Sequence, residues 1–378
     1  MPSPVDPAAP DVRGLGPGRL PGLPPGVAIK LAIGLHRLVR RLADRLIPAD
    51  LLVFDLAFGV ARTAMLAAMA RAGIADLLEE GPGTAAELAA RAGTDPDATH
   101  RMLRALAWER VVRLDGGGRF HATRITRALR AGQVGRSREW AAYFGSPSNQ
   151  RAYLAFEHTL RTGKNGFEPG NGTGVWAWFE AHPDEREQFA QAMMGLTIHA
   201  ASTVAELYPW REVGVVCDVG GGRGTLLSEL LVRHSHLRGI LCDAAGVIAS
   251  AGPLLRARGV ADRVELVAGS FFGELPVGAD AYVLKNVLHD WDDARSLEIL
   301  SSVRRAMRPG QRIVVVEALL GANQLHPATL VDVHMMTVSD EGRERSRAEL
   351  EALLVAAGFR PARVRATPVV GVLEGIAR

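Results

Sequence analysis

The stretch Val215-Val216-Cys217-Asp218-Val219-Gly220-Gly221-Gly222-Arg223-Gly224 limits what this chain can fold into more than any other part of it. A short apolar run meets a glycine cluster and passes into 225–231, which reads as a buried strand, a tight turn and a helix. Glycine is needed where backbone must come close to a ligand, and the start of the following helix offers N–H groups to anions. The glycines fall as Asp-x-Gly-x-Gly-x-Gly, at Asp218, Gly220, Gly222 and Gly224. A dinucleotide fingerprint would require Gly or Ala at 225, where Thr225 stands, so a nicotinamide cofactor is disfavoured. Asp243 closes the next predicted strand, 239–242, where a carboxylate can accept both hydroxyls of a ribose.

From 213 onward strands and helices alternate. The predicted strands are 215–219, 239–242, 263–268, 280–285, 312–317, 361–366 and 369–376, with helices at 225–235, 246–258, 292–307 and 346–357. This pattern predicts an α/β domain over 211–378 whose parallel sheet is covered on both faces. Ligands of such sheets sit outside the carboxyl ends of the strands, so the residues that end strands are the ones to inspect.

Those residues carry chemistry. Asp218 and Gly220 end the first strand, Asp243 the second and Gly269-Ser270-Phe271-Phe272 the third; the fourth ends in Lys285-Asn286-Val287-Leu288-His289-Asp290-Trp291 and the fifth in Glu317. Phe271 offers a face to a base such as adenine, with Ser270 at its polar edge, and Trp291 is a second flat surface. His289 can take a proton near neutral pH. Asp290 is poorly placed to orient it, because adjacent side chains on a helix point different ways. Glu317, at the end of the adjacent strand, is better placed, and Glu344, in the loop 339–345, is a second candidate. Asp290, Asp292 and Asp293 read first as acids favouring the dipole at a helix start, with Asp290 also kept as an acceptor-side candidate.

Before the sheet domain the chain is helical. Residues 1–25, rich in Pro and Gly and without a signal-peptide pattern, read as a disordered tail. In 26–47 the residues Leu31, Leu35, Leu38, Leu42 and Leu46 recur at helical spacing among arginines, an amphipathic helix for packing on its own protein or a second subunit ahead of a membrane or nucleic acid. A helix over 54–72, a capping box at Thr84–Glu87 opening 86–92, a helix over 95–108 and a hairpin at 111–121 follow the plan of a winged helix. That plan serves DNA binders and dimerisation domains alike. The acidic Asp95-Pro96-Asp97 would repel phosphate at the start of the second helix, so 26–136 reads as a dimerisation domain. Residues 137–210 are helices broken by the loop 162–174. Their Trp140, Tyr143, Phe144, Trp176, Trp178 and Phe179 form interdomain core, the wall of a pocket for a flat substrate, or both, and Met193 joins the acceptor candidates.

At 378 residues the chain can bury a core in each of two domains. Its net charge is +3, but lysine occurs only at Lys30, Lys164 and Lys285 and no long one-sign block appears, so the basic balance is not a nucleic-acid footprint. Cys217 and Cys242 read as free buried thiols of a reducing cytosol. No uninterrupted apolar stretch reads as long enough to span a bilayer. A cytoplasmic protein without nucleic-acid or membrane partners is expected.

At this point the residues resemble those of the S-adenosylmethionine-dependent small-molecule O-methyltransferases, which include plant caffeate and flavonoid enzymes and bacterial enzymes of aromatic natural-product pathways. The likeness covers roughly 50–378 and rests on Asp218-Val219-Gly220-Gly221-Gly222, His289-Asp290-Trp291, Glu317 and Gly342-Arg343-Glu344-Arg345-Ser346. It implies a Rossmann-like class I methyltransferase domain, with a mostly parallel seven-stranded sheet, behind a winged-helix domain that makes a homodimer. It implies that Gly220 faces the methionine part of S-adenosyl-L-methionine, Asp243 the ribose, Ser270 and Phe271 the adenine and Lys285 the amino-acid end, with Asp218, Gly222 and Trp291 in the same cofactor set. His289 would be the base, flanked by Glu317 and Glu344, and Met335 would line the pocket of a small aromatic acceptor. The family often has Asp where Ser270 stands, and the loop 337–341 departs from the plant pattern. A sulfonium methyl is already activated, so the protein must chiefly deprotonate a hydroxyl, within reach of such a base for a phenol of pKa about 10. No metal is required, and no ligand cluster stands out in the sequence. The rival readings are N- or C-methylation or a non-methylating reaction on the same fold, a winged-helix ligand-sensing regulator, and a hydride-transferring dehydrogenase.

Overall fold

The computed structural model describes residues 11–22, 24–321 and 326–378. The chain divides into two units, one of Met1–Ile29, Ala152–Ala177 and Leu196–Arg378, the other of Lys30–Arg151 and Trp178–Gly195. The stretch 137–210, set apart by sequence as one helical connection, is thus shared between them.

The larger unit is built on a seven-stranded sheet of β1 (Val215–Val219), β2 (Arg238–Asp243), β3 (Val264–Ala268), β4 (Ala281–Lys285), β5 (Arg312–Glu317), β6 (Phe359–Ala366) and β7 (Gly371–Ala377). Their spatial order is β3-β2-β1-β4-β5-β7-β6. The first five run parallel, and β7 lies antiparallel to both β5 and β6. Central strands buried on both faces need continuous apolar runs, and Ala281–Leu284 of β4 and Ile313–Val316 of β5 are wholly buried. The edge strand β6 instead carries Arg360, Arg363 and Arg365, which blunt it against pairing with another chain. Helix Thr225–Arg233 is buried from its start through Leu231, and helices Asp293–Ala306 and Arg347–Ala356 each bury an apolar face. The direction of strand order reverses between β1 and β4, and a crevice opens at such a switch point outside the carboxyl ends. Gly220, Asp243, Lys285 and Glu317 all lie at that end.

The tail expected over 1–25 differs in its described part; residues 1–10 and 23 lie outside the described residues. Leu15 and Leu20 are buried, and the backbone between them caps a charge pair. Glu229, fully buried on helix Thr225–Arg233, pairs with Arg258 and Arg233 and accepts the Leu20 N–H at 3.0 Å. Arg258 donates to the carbonyls of Gly16, at 2.7 Å, and Gly18. Two ions out of water require such partners, so the Pro/Gly-rich segment is held in place as their ligand rather than by a core of its own.

In the smaller unit, Thr84 and Glu87 form the expected capping box and Asp95 caps the helix Pro96–Trp108. The hairpin Val112–Leu114 with Arg119–Ala122 follows, joined by the short strand Gly83–Thr84. Met69, Ile74, Leu88, Leu103, Leu106 and Phe120 fill the core. The helix expected over 54–72 is broken at Phe58 into Ala49–Ala57 and Gly59–Arg71. Contrary to the sequence reading, the run Ala49–Arg71 is long and apolar enough, by length and composition, to cross a bilayer, with mean hydropathy 1.7. It also holds Arg62, which pairs with Asp55 and Glu109. The helices Gly26–Asp44 and Ala49–Ala57 have no buried residue, and Leu31, Leu35, Leu38, Leu42, Phe54 and Phe58 are all exposed.

Deleting residues 1–22 strips Arg258 and Glu229 of backbone partners. A buried polar group left unpaired costs about 1–3 kcal/mol. The melting temperature of the shortened protein should fall by roughly 3–8 °C, and an unchanged melt would contradict a structural role for this segment.

Candidate functional site

The glycine turn after β1 is shaped for close approach. Gly220, Gly222 and Gly224 have φ of 67°, 61° and 83°, the left-handed region that L side chains avoid. A Cβ at Gly221 would lie 2.6 Å from both Asp218 Cγ and Leu241 Cδ1, and one at Gly220 would lie 2.9 Å from Val287 Cγ2 and 3.5 Å from the ring of Phe271. Asp243 closes the turn from β2: its Oδ2 accepts the Gly222 N–H at 2.8 Å and its Oδ1 the Ala244 N–H at 2.7 Å. Asp218 is buried, and its Oδ2 has no hydrogen-bond partner among the described residues. Burial pushes Asp218 up to about 7 against the pull of Lys285, and pushes Lys285 down to about 8 against Glu317 and Asp218.

Across the switch point the chain leaves β4 through Asn286, at φ 51°, and enters a single 3₁₀ turn, Leu288–Asp290. Asn tolerates that conformation better than most residues. Glu317 Oε1 accepts the N–H groups of Val287 and Leu288, each at 3.1 Å. From the other side Arg345, 2% exposed, donates to the carbonyls of Leu288 and Trp291, both at 2.7 Å, and to Asp293. The Arg343 N–H meets the His289 carbonyl at 2.8 Å. The turn that presents His289 is therefore held through its backbone from both sides.

The ring of His289 sits among three acids. Nδ1 is 2.9 Å from Glu344 Oε1 and 3.8 Å from Glu317 Oε2, and Nε2 is 3.6 Å from Asp290 Oδ1. Glu344, the second candidate from sequence, is thus the hydrogen-bonding partner, while Glu317 spends one oxygen on the turn and acts on the ring at longer range. As expected, Asp290 forms no hydrogen bond to the ring, although the segment is a 3₁₀ turn and not the α-helix that expectation assumes. At 3.6 Å it is in ion-pair range, though too far for a hydrogen bond. Burial opposes a charged ring, but Glu317, Asp290 and Glu344 outweigh it and raise His289 to about 10. Burial, followed by repulsion from Glu344 and Asp290, raises Glu317 to about 7 although His289 draws it down. One oxygen each of Glu317 and Glu344 is buried without a hydrogen-bond partner among the described residues. These two acids and His289 also bring ligand-type atoms within 4.8 Å of one another, a cluster that their wide sequence spacing hid.

The remaining candidates fall into place unevenly. Phe271 lies against the Gly220 turn, and its ring is 6.0 Å from that of Trp291. Trp291 Nε1 is buried without a partner among the described residues, and its ring packs edge-on against Phe272. Ser270 is exposed, its hydroxyl accepting the Phe272 N–H at 3.2 Å. Met335 is buried on the helix Thr329–Val338, beside Gly342, where a Cβ would meet Met335 Cε at 2.9 Å and the His289 carbonyl at 3.3 Å. Met193 belongs to the helical unit, on helix Pro183–Leu207. Sequence reading missed the helix Thr329–Val338 altogether, and it missed Arg345 as a positioning residue, although an arginine inside the quoted 342–346 motif was a signal for it.

The sheet order, the glycine turn and the rim of strand-end residues define a class I methyltransferase fold. The chain belongs to the O-methyltransferase family: the family model described as the O-methyltransferase domain matches residues 153–360, and the O-methyltransferase dimerisation domain matches 54–132. It is 36% identical over 321 residues to the O-demethylpuromycin-O-methyltransferase of Streptomyces alboniger, covering 84% of this chain and 85% of that one. The solved O-methyltransferase NcsB1 from neocarzinostatin biosynthesis, in complex with S-adenosylmethionine and 2-hydroxy-5-methyl naphthoic acid, is 33% identical with a TM-score of 0.72 over 84% of this chain and 96% of that one. Chemistry varies at similar identity: the aclacinomycin 10-hydroxylase RdmB of Streptomyces purpurascens is 34% identical, covering 76% of this chain and 78% of that one.

In the ligand-free protein the imidazole of His289 should be protonated well above pH 7. Nitrogen-detected NMR of labelled histidine should find a cationic ring at about pH 8, with its midpoint moved down in Glu344→Gln because an acid that raises it is gone. A neutral ring at about pH 7 in the unsubstituted protein would contradict this electrostatic reading.

Proposed function

We propose that this protein is an S-adenosyl-L-methionine-dependent O-methyltransferase acting on a phenolic hydroxyl of a small aromatic natural product, in a pathway of the antibiotic-biosynthesis kind, with His289 as the general base. The observation that carries the reading is the ring of His289, hydrogen-bonded to Glu344, on the same rim of the sheet as the glycine turn. The residues present suit the cofactor: a turn too tight for a Cβ at Gly221, orphaned buried polar atoms at Asp218 and Trp291, and a carboxylate, Asp243, closing β2. Gly220 and Asp218 would hold its amino-acid portion with Lys285, Asp243 its ribose, and Phe271 its adenine. When bound, S-adenosylmethionine supplies a methyl group activated by a sulfonium charge.

The chain's own task is then the proton. A phenol in line with that methyl must lose its proton as oxygen attacks, and a base within hydrogen-bond reach takes it. Nδ1 of His289 is engaged by Glu344, so Nε2 is the atom that takes it. For this the ring must first be neutral, and a positive charge bound beside it lowers the pKa that the three acids raise. Once the ring is charged, Glu344, Glu317 and Asp290 stabilise it. Methylation of an aromatic amine makes less demand on a base, and the buried, acid-flanked histidine supports the oxygen acceptor. The exposed apolar helices at the start of the chain, together with the dimerisation-domain match, support a homodimer.

Two substitutions separate base from cofactor site. His289→Ala should lower kcat roughly 10²–10⁴-fold with the affinity for S-adenosylhomocysteine unchanged, whereas Gly221→Ala should weaken that affinity at least about tenfold. Calorimetric titration with S-adenosylhomocysteine, together with transfer of labelled methyl to a panel of phenols and anilines, gives both readouts. Equal losses in both variants, or label on nitrogen only, would overturn the assignment.

A further inference from the structure

The larger unit holds a second pair of polar rings that proton transfer does not use. His334, 7% exposed on helix Thr329–Val338, has Nδ1 2.8 Å from Tyr153 Oη, with the two rings 5.9 Å apart and inclined by 29°. Burial, with the charge on His289 adding to it, pushes His334 down to about 4, and burial pushes Tyr153 up to about 12. Both side chains are neutral throughout the working range of pH.

This pair lies on elements linked to the loop that holds the base. His334 directly precedes Met335, which packs on Gly342 next to the His289 carbonyl. Earlier on the same helix, Asp332 accepts the N–H of Glu344, the partner of His289, at 2.8 Å. The loop at Asn165 and Gly166, which packs on Ala152 next to Tyr153, is fastened to the far end of that helix: the Gly166 N–H meets the Thr337 carbonyl at 2.9 Å, and Asn165 Nδ2 meets Asp340 at 2.7 Å. A shift of the dyad is thus coupled to the loop that orients the base.

Resting on the function proposed above, we infer that Tyr153 and His334 form a recognition pair for the acceptor, binding a neutral oxygen substituent of the aromatic ring, a carbonyl or a second hydroxyl, remote from the hydroxyl that is methylated. The chemistry favours that class. A tyrosine hydroxyl that donates to an imidazole keeps a lone pair for an acceptor hydroxyl. With the shared proton on Nδ1 instead, the tyrosine proton is turned toward an acceptor carbonyl, so one dyad serves either group. A carboxylate would be buried against two neutral rings beside Asp290, Glu317 and Glu344, with Arg345 already committed to Asp293 and to backbone carbonyls. Two anchor points, the dyad and the base, would fix which ring position faces the methyl group.

A matched ligand pair tests this: 5-hydroxy-1-tetralone and 5,6,7,8-tetrahydro-1-naphthol are neutral phenols that differ by one ring carbonyl. Calorimetry in saturating S-adenosylhomocysteine should find the ketone bound about tenfold more tightly by the unsubstituted protein, the effect of one good hydrogen bond. Tyr153→Phe, which removes one oxygen from a partly exposed ring, and His334→Leu should both bring the ratio near one, with S-adenosylhomocysteine affinity unchanged. A ratio near one in the unsubstituted protein, or an unaltered ratio in both variants, would overturn the inference. Transfer of labelled methyl to the same phenols is scored separately: binding selectivity without transfer counts against the proposed reaction while supporting the dyad, and transfer without selectivity does the reverse.

Discussion

One buried carboxylate, Glu317, governs the geometry of the rim. At the end of β5 its first oxygen accepts two successive backbone N–H groups, those of Val287 and Leu288, and so fixes the turn that follows β4. Its second oxygen has no hydrogen-bond partner among the described residues and lies 3.8 Å from the ring which that turn presents. A carboxylate out of water needs such donors, and a short unsatisfied turn needs such an acceptor. Each half is stable only because the other is there. Arg345 completes the arrangement by taking the carbonyls of the same turn and tying the loop of Glu344 to it.

Charge along the rim alternates as a consequence. Asp218 precedes Lys285, which lies between it and Glu317, and His289 follows among Glu317, Glu344 and Asp290. Burial disfavours charge on Asp218, Lys285, Glu317 and Asp290 and prevails there, whereas at His289 the neighbouring acids outweigh it. Four acids stand beside two basic groups in this row, and a positive ligand bound there would favour the ionised form of Asp218 and Glu317. With S-adenosylmethionine bound, the positive charge that its sulfonium would supply would be replaced by the proton that the proposed acceptor His289 gains, so the sum of charge on the rim would be the same before and after. That balance favours a reaction without large reorganisation of the surrounding dipoles.

Much of this was legible in the sequence because it depends on local pattern. Continuous apolar runs ending in glycine, acid or histidine mark buried parallel strands, and the topology rule for such sheets places their ends together. What depended on tertiary closure was not legible. Glu344 ranks ahead of Glu317 as the hydrogen-bond partner only because Arg345 and Asp332 draw its loop in. Asp290 comes within ion-pair range of the ring, nearer than α-helical geometry implies, because the chain makes one 3₁₀ turn there. The segment 11–22 is ordered against its composition, because the Pro- and Gly-rich sequence that marks disorder also suits a strap whose carbonyls ligate a buried arginine. The helix Thr329–Val338 escaped because polar Asp332, His334 and Thr337 interrupt its apolar residues, and two of these polar side chains are buried.

In the proposed reaction a donor's methyl group and the Nε2 of His289 flank one acceptor oxygen. A crystal structure of the protein with S-adenosylhomocysteine measures it directly. In-line transfer with a hydrogen-bonded base leaves room for a methyl group and one oxygen, so the sulfur should lie within about 8 Å of Nε2 with open space between them. A sulfur much farther away, or an imidazole screened from it by protein, would contradict the assignment of the base.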